Sequence, residues 1–577
     1  MASVEIIRGI ASGDAECPES KSSGPSFGLG WFSKDHIKQG KVKSRQVPAE
    51  SPLGFTVYRK PPVYVGGSSV LVQVWAVGLD DVDARLVGVH PPLSKQPSPG
   101  TPHKTEEKND GKRPVPLGYI PGRSFVGRIL EVGWDVDKHS LKKGDWVVGL
   151  NSVQKCGALT EFILVDRHRI HYVPHPNIPD QPSLVLSSLS EDDKVGQRNS
   201  LVFPAVNEPN GLTVDELALL PLSGVPAYRA VRTLTHITRA LVQPDVAAWR
   251  PRRNGHSREV TSDTDEDDVV IMQRRFDTTR PRILILRGHD GPGALALQML
   301  VRAGWSVWAH VPVPFDLPGL PPHEFEEDLQ DEDKKRTLAI RRVMLERIEK
   351  RLRGWGADET EKTSVTALFT YLARTRVRFD AVIDTIGGRE IWEAGRTLLS
   401  LPVHDAARAS IEGQFTTLVG DAPDRVVSTA SDHFRAGVRA LRIGNSKGAL
   451  QVHDDAEFSQ PSVTPARGKR DRRKMKPRSV NYAWVNVMSD VDWEGADVRD
   501  SLSATLAMAV KEGVRPAVGL SDFPDLSKKG KERMKNKFGG GDGETLGKVI
   551  PFENTPQVFI AGGGLEHGGT VVSRIAG

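Results

Sequence analysis

Three glycines, Gly288, Gly291 and Gly293, stand inside the stretch Arg282 to Gln298, RILILRGHDGPGALALQ. The run Ile283 to Arg287 before them suits a buried strand, and Ala294 to Leu300 after them has the apolar pattern of a helix. A strand, a tight glycine turn and a helix aim unpaired helix N–H groups, and the positive end of the helix dipole, at an anion. The predicted chemistry is therefore binding of a dinucleotide diphosphate. The alternative is a turn that serves only to pack helix on strand. A fingerprint G-x-G-x-x-G starting at Gly288 would place its second glycine, where backbone approaches the pyrophosphate, at position 290, and Asp290 stands there. A carboxylate opposes a diphosphate: like charges 4 Å apart cost on the order of 4 kcal/mol at an effective dielectric near 20.

Other candidates lie where later strand-like runs stop. Gly387 and Gly388 follow Phe379 to Thr385, and Gly420 follows Gln414 to Val419. His310 stands next to last in the run Trp305 to Val311, WSVWAHV. Neither it nor Val311 nor Pro312 offers the acid that binds a ribose 2′-hydroxyl or the arginine that pairs with a 2′-phosphate. Tyr119 and Tyr228 are weak candidates for proton or hydrogen-bond donors, each more readily explained by packing.

Elements that position these residues follow from the rest of the chain. At 577 residues it is too long for one core. Hydrophobic content of 38% with 26% charge, 55 Gly and 40 Pro indicates a soluble protein rich in loop. Two cysteines, Cys17 and Cys156, exclude a disulfide framework and a cysteine-rich zinc site. No run of eighteen apolar residues and no signal-peptide pattern is present, so a cytoplasmic protein without a transmembrane segment is expected. A net charge of +5 over this length does not argue for specific nucleic-acid binding. It comes partly from the cluster 467–478, RGKRDRRKMKPR, which is more often a solvated loop than a nuclear import signal.

In order, residues 1–50 are expected to be mostly disordered. Residues 51–205 carry strands at Val70 to Val77, Phe125 to Val132, Asp145 to Leu150 and Gly157 to Val165, with Gly78 to Gly88 as a turn. Residues 206–513 alternate strands and helices, beginning with two helices separated at Pro226 and interrupted by insertions near 237–279, 315–335 and 422–478. Residues 514–577 hold a linker near 521–547, a short helix after Phe552 and a last strand from Thr570 to Ile575. The predicted fold class is α/β, an antiparallel β unit followed by a doubly wound parallel sheet whose strand ends form a crevice.

The order of these pieces resembles the medium-chain dehydrogenase/reductase superfamily. The carriers are IPGRSFVGRILEVGWDVDKHSLKKGDWVVGL, LALLPLSGVPAYRAV, the glycine turn itself, GWGADE, FDAVIDTIGG, and the segments GVRPAV and KVIPFENTPQVF. The resemblance implies a GroES-like β domain, a Rossmann domain and a C-terminal return to the first. Within the superfamily the chain looks like the zinc-free quinone reductase and enoyl reductase branch. Zinc enzymes would need a cysteine near Asp80 and a His-Glu pair after Gly122, where Arg123 and Ser124 stand. Implied with it are NADPH, with NADH as the alternative and Asp290 opposing either, a small lipophilic carbonyl or quinone substrate, and a homodimer. The family tail often reads Gly-Lys before its last strand, and here Gly569 is followed by Thr570.

Two functions follow. The first is an NADPH-dependent oxidoreductase passing hydride to a quinone or α,β-unsaturated carbonyl without zinc. The alternative is a weak or inactive relative used as a binding or membrane-protein-targeting scaffold, with a protein partner engaged through the insertions.

Overall fold

The computed structural model describes residues 3–6, 52–57, 61–87, 118–137, 140–153, 155, 157–177, 211–241, 280–313, 331–375, 377–401, 411–423, 425, 428–441, 478–518, 549–560, 565 and 569–576. Both cysteines, the segment 91–116 and most of each insertion lie outside them.

The first part of the chain is antiparallel. Strand β1 (Ser3–Ile6) pairs with β2 (Leu53–Thr56). Strand β3 (Ser69–Leu79) alternates half-buried and buried positions over its first half, as its sequence VLVQVWAV demands of a strand with one face on a core. After it come the short helix α1 (Asp81–Val87) and strands β4 (Ser124–Val132), β5 (Trp146–Leu150), β6 (Phe162–Asp166) and β7 (Ile170–Val173). Register irregularities between β3 and β4 at Leu71/Val72 and Val74/Ala76 bend the pair. Gly127 is required at this bend, because a Cβ there would lie 2.3 Å from the Gln73 carbonyl oxygen.

Helix α2 (Val214–Arg232) connects the two halves, entered through a reciprocal cap between Thr213 and Glu216. It runs unbroken through Pro221 and Pro226, whereas the sequence predicts a break at Pro226. An interior proline removes a helix hydrogen bond and costs about 3 kcal/mol. Burial of Leu217 to Ala227 between the antiparallel sheet and the helix Gly291–Arg302 offsets that loss, and the Ser124 hydroxyl donates to Ala218 O at 2.6 Å. Helix α3 (Thr235–Leu241) follows, so the insertion expected from Ile237 begins in ordered helix.

The second half holds strand β8 (Arg282–Ile285), helix α4 (Gly291–Arg302), β9 (Ser306–Pro312), α5 (Asp331–Gly354), β10 (Glu359–Thr363), α6 (Val365–Thr375), β11 (Ala381–Asp384), α7 (Arg389–Leu399), β12 (Gly413–Thr417), α8 (Ala430–Ala440), β13 (Val480–Trp484) and α9 (Val498–Lys511). All pairs are parallel, in the order β10-β9-β8-β11-β12-β13. Numbered within this sheet the order is 3-2-1-4-5-6, that of the doubly wound fold, with its reversal between β8 and β11. The chain then returns to the antiparallel sheet through β14 (Val549–Pro551), helix α10 (Thr555–Val558) and β15 (Val571–Arg574), which pairs with β3. An ion pair of Arg574 with Asp215 at 2.7 Å fastens this return to α2. The expected α/β architecture, an antiparallel unit followed by a doubly wound parallel sheet, is the one observed.

Several elements depart from expectation. Within residues 1–50 β1 is ordered, with Val4 fully buried. Gly78 to Gly88 is not only a turn, because Asp80 accepts from Val82 N at 3.0 Å and caps α1. Residues 422–478, expected as an insertion, contain α8, entered through a reciprocal cap of Thr429 with Asp432. Of the basic cluster 467–478 only Arg478 is described, and it is buried against Asp380 at 3.1 Å rather than solvated. Among the described residues no helix is long and apolar enough to cross a membrane.

Candidate functional site

Both halves of the molecule meet at a crevice of about 930 Å³, its open mouth included. One wall is made by the chain leaving the carboxyl ends of β8, β11, β12 and β13, the other by the β3–α1 corner and the start of β4. Arg287, Asp290 and Pro292 line its floor.

At that floor Asp290 is the N-cap of α4 and only 5% exposed. Its Oδ1 accepts from Gly291 N at 2.8 Å and from the Thr570 hydroxyl at 2.8 Å, and its Oδ2 accepts from Thr570 N at 3.2 Å. Pro292, next in the helix, has no N–H. Among the first three helical positions, Gly293 is thus the donor left for an external anion. The two departures seen in the sequence, a carboxylate at 290 and a threonine at 570, are partners of each other.

Glycine at 293 has a packing reason, because a Cβ there would lie 2.2 Å from Arg287 O. Gly288 donates from its N to His310 O at 2.9 Å. The His310 side chain is fully buried, turned to β10 through a 2.8 Å contact of Nε2 with Thr363 O, and does not line the crevice. Burial pulls its imidazole down to about 4, so it is neutral at pH 7. Gly387, Gly388 and Gly420 take positive φ values of 82°, 120° and 85°, and Gly388 N donates to Gly420 O at 2.8 Å. These turns are braced by Asp384, which accepts from Ile386 N, Gly387 N and the Thr417 hydroxyl, each at 2.9 Å. They support the crevice wall at Leu418, Val419 and Trp484.

Arg287, at the end of the first parallel strand, also lines the crevice. It has φ 53°, in the left-handed region a non-glycine residue seldom adopts. Burial lowers its guanidinium pKa, with Asp81 the largest opposing influence.

Across from it, Arg123 is 3% exposed and pairs through Nη2 with Asp80 Oδ2 at 3.0 Å. Asp83 lies behind them, fully buried, accepting from Gly122 N at 2.9 Å. Burial, and next the neighbouring Asp80, push the Asp83 carboxyl up to about 7. The positions where the superfamily resemblance would place a metal-ligating cysteine and histidine therefore carry an ion pair. Among the described residues no group of three or more His, Cys, Asp or Glu is placed to hold a metal ion. Arg123, Leu222, Pro226, Asn486, Val487 and Met488 also border a second cavity of about 470 Å³, its open mouth included.

The tyrosines lie elsewhere. Tyr119 is buried in the antiparallel unit and donates to Val153 O at 3.2 Å, and Tyr228 sits under the Arg232 guanidinium, 5.4 Å from ring centroid to Cζ. Neither lines the crevice. Sequence reasoning assigned no role to Arg287 or Trp484, and noted Asp80 and Arg123 only for the ligands they replace. The spacing Asp80-x-x-Asp83 is a helix-cap signal that was present in the sequence. Nothing local shows that Asp80 and Arg123 meet.

No family model matches the chain, and no curated protein matches it. Among solved structures, it is similar to the CurK enoyl reductase at 14% identity, covering 91% of this chain and 95% of that one with a TM-score of 0.44. It is also similar to the quinone oxidoreductase of Thermus thermophilus, described with its NADPH complex, at 15% identity, 91% and 96% coverage and a TM-score of 0.40. A thermostable alcohol dehydrogenase from Pyrobaculum aerophilum matches at 12% identity, 91% and 95% coverage and a TM-score of 0.41. Likeness at this level carries no argument about the chemistry of the chain.

Proposed function

We propose that the chain is an NAD(P)H-dependent oxidoreductase that reduces a quinone or an α,β-unsaturated carbonyl compound without zinc. One observation carries this: the crevice opens at the carboxyl ends of the parallel strands, at the reversal of strand order, where open α/β sheets bind their ligands. A nicotinamide cofactor, when bound, supplies the hydride. In this reading Gly288, Gly291 and Gly293 face its diphosphate, Asp290, Gly387, Gly388, Gly420 and Thr570 border it, and His310, expected there from the sequence, is turned away to β10.

The fit holds for the fold and the glycine turn and is obstructed at one group. Asp290 already takes the Gly291 N–H and both donors of Thr570, so a diphosphate requires this contact to open or the carboxylate to be neutralised. The chain's own part in the chemistry is to exclude water from the crevice and to hold donors where charge develops on the substrate oxygen. Zinc is left out because Arg123 and Asp80, joined to each other, are not a ligand set for it. A homodimer, implied by the resemblance, would use the outer edge of the parallel sheet at β13.

Calorimetric titration of the purified full-length chain with NADPH and with NADH tests the proposal. Saturable binding below millimolar cofactor is expected, and no saturation at millimolar concentration sinks it. The second reading, a silent scaffold, is favoured by the Asp290–Thr570 contact itself. That reading predicts no binding of either nucleotide.

A further inference from the structure

Three buried side-chain nitrogens on the crevice lining lack a hydrogen-bond partner among the described residues: Nε of Arg123, Nε of Arg287 and Nε1 of Trp484. All three are donors. The carboxylates of the same lining are engaged: Asp80 with Arg123, Asp81 with Arg85, Asp421 with Arg439, Asp432 with Arg425, and Asp290 with Thr570. Each of these carboxylates is thus tied to a donor of the chain, whereas the three nitrogens are donors without a partner among the described residues. A ligand that brings oxygen acceptors recovers hydrogen bonds the protein lacks, whereas an ammonium or another donor-only ligand does not.

Arg123 stands apart from the other two by its place. It borders both cavities, and the second is lined by Leu150, Val153, Leu222, Val225 and Val487 and also by Arg169, Arg229 and Asp490. Its charge is already answered by Asp80, with Asp83 close behind. An incoming carboxylate would add a third acid to this corner, while a neutral carbonyl adds an acceptor and no charge.

We propose that Arg123 is the substrate-binding residue: its guanidinium, anchored through Nη2 to Asp80, donates to the carbonyl oxygen of an uncharged enone or quinone held in the crevice. This rests on the oxidoreductase reading of the crevice and goes further by assigning the group that takes the place of a metal. Arginine suits the task because it carries five donors, so one arm can hold Asp80 while others remain for the ligand.

The test starts without cofactor, so that it does not depend on nucleotide binding. The full-length chain is titrated calorimetrically with 2-cyclohexen-1-one and 2-methyl-1,4-naphthoquinone, with cyclohexene as the oxygen-free control. The same titrations are run on the Asp80→Asn/Arg123→Gln double variant, which removes both charges of the pair together and leaves Asp83 held by the Gly122 N–H. Expected are saturable binding of the carbonyl compounds to the native chain, none of cyclohexene at equal concentration, and at least a tenfold loss in the double variant. NADPH affinity should stay within about twofold of native. Equal binding of the carbonyl compounds by native and a folded double variant overturns the proposal, as does absence of binding to the native chain. Should the double variant not fold, Arg123→Lys decides. It keeps the charge beside Asp80 and loses the fork, so at least a fivefold loss is expected and an unchanged affinity overturns the assignment. Arg123-dependent carbonyl binding with no nucleotide binding would leave this assignment standing and remove hydride transfer. Nucleotide binding with Arg123-independent carbonyl binding would do the reverse.

Discussion

The turn after β8 and the corner at Asp80 and Arg123 face each other across one crevice, and each places a carboxylate beside hydrogen-bond donors. At the turn, Asp290 takes its donors from the helix end and from the returning tail, and Pro292 contributes none. At the corner, Asp80 takes one arm of a cation that still has an unpartnered Nε. The first pairing closes a place built for anions, and the second leaves capacity for a ligand. What a helix N-terminus or an arginine can bind is set by the donors left after the chain's own acceptors have been served.

The strongest way to break this contrast is Asp290→Gly. If the carboxylate blocks the turn, NADPH affinity should rise by about 10²- to 10³-fold, in line with the roughly 4 kcal/mol of like-charge repulsion at 4 Å. Calorimetry reads it, and an unchanged affinity would show that Asp290 serves only as a helix cap. Gly293→Ala should lower stability by about 3 kcal/mol, at the upper end for overpacking, because the clashing neighbour is backbone. The urea midpoint, read without nucleotide, measures that. Thr570→Val removes the hydroxyl bond to Asp290 and keeps the backbone one. A loss of about 1.5 kcal/mol in stability is expected, with a gain in NADPH affinity smaller than that of Asp290→Gly.

A separate effect concerns pH. Asp83 titrates at about 7 in the folded chain against an ordinary 3.8, so the folded state holds its proton more tightly between those values. Its contribution to stability is complete below pH 4 and is lost as pH rises through 7. His310 acts in the opposite sense: pulled down to about 4, it contributes above pH 6.5 and loses that contribution as pH falls. The Asp83→Asn variant should therefore lose less stability than the native chain between pH 5 and pH 8. A native-like slope in that variant would mean that Asp83 is not the group responsible.

Most strands of both sheets were legible in the chain, because period-two alternation in VLVQVWAV and apolar runs such as RILIL and FDAVIDT carry their own signal. Strand β10, ETEKT, was not, since its charged residues lie at a sheet edge where burial imposes no apolar pattern. Helix α2 was read as two because proline is a local breaker, and the packing that overrides it is not local.

The glycine turn was visible at once, and so was the intrusion of Asp290. By itself the sequence determined the element order, the turn and the presence of a carboxylate in it, all properties of neighbours along the chain. Only the tertiary structure decided that Asp290 is held by Thr570, 280 positions away, and that Arg123 meets Asp80 across 43. A hydrogen bond between distant residues leaves no periodicity in the chain. It exists because the return of β15 onto β3 and the β3–α1 corner bring those atoms within 3 Å.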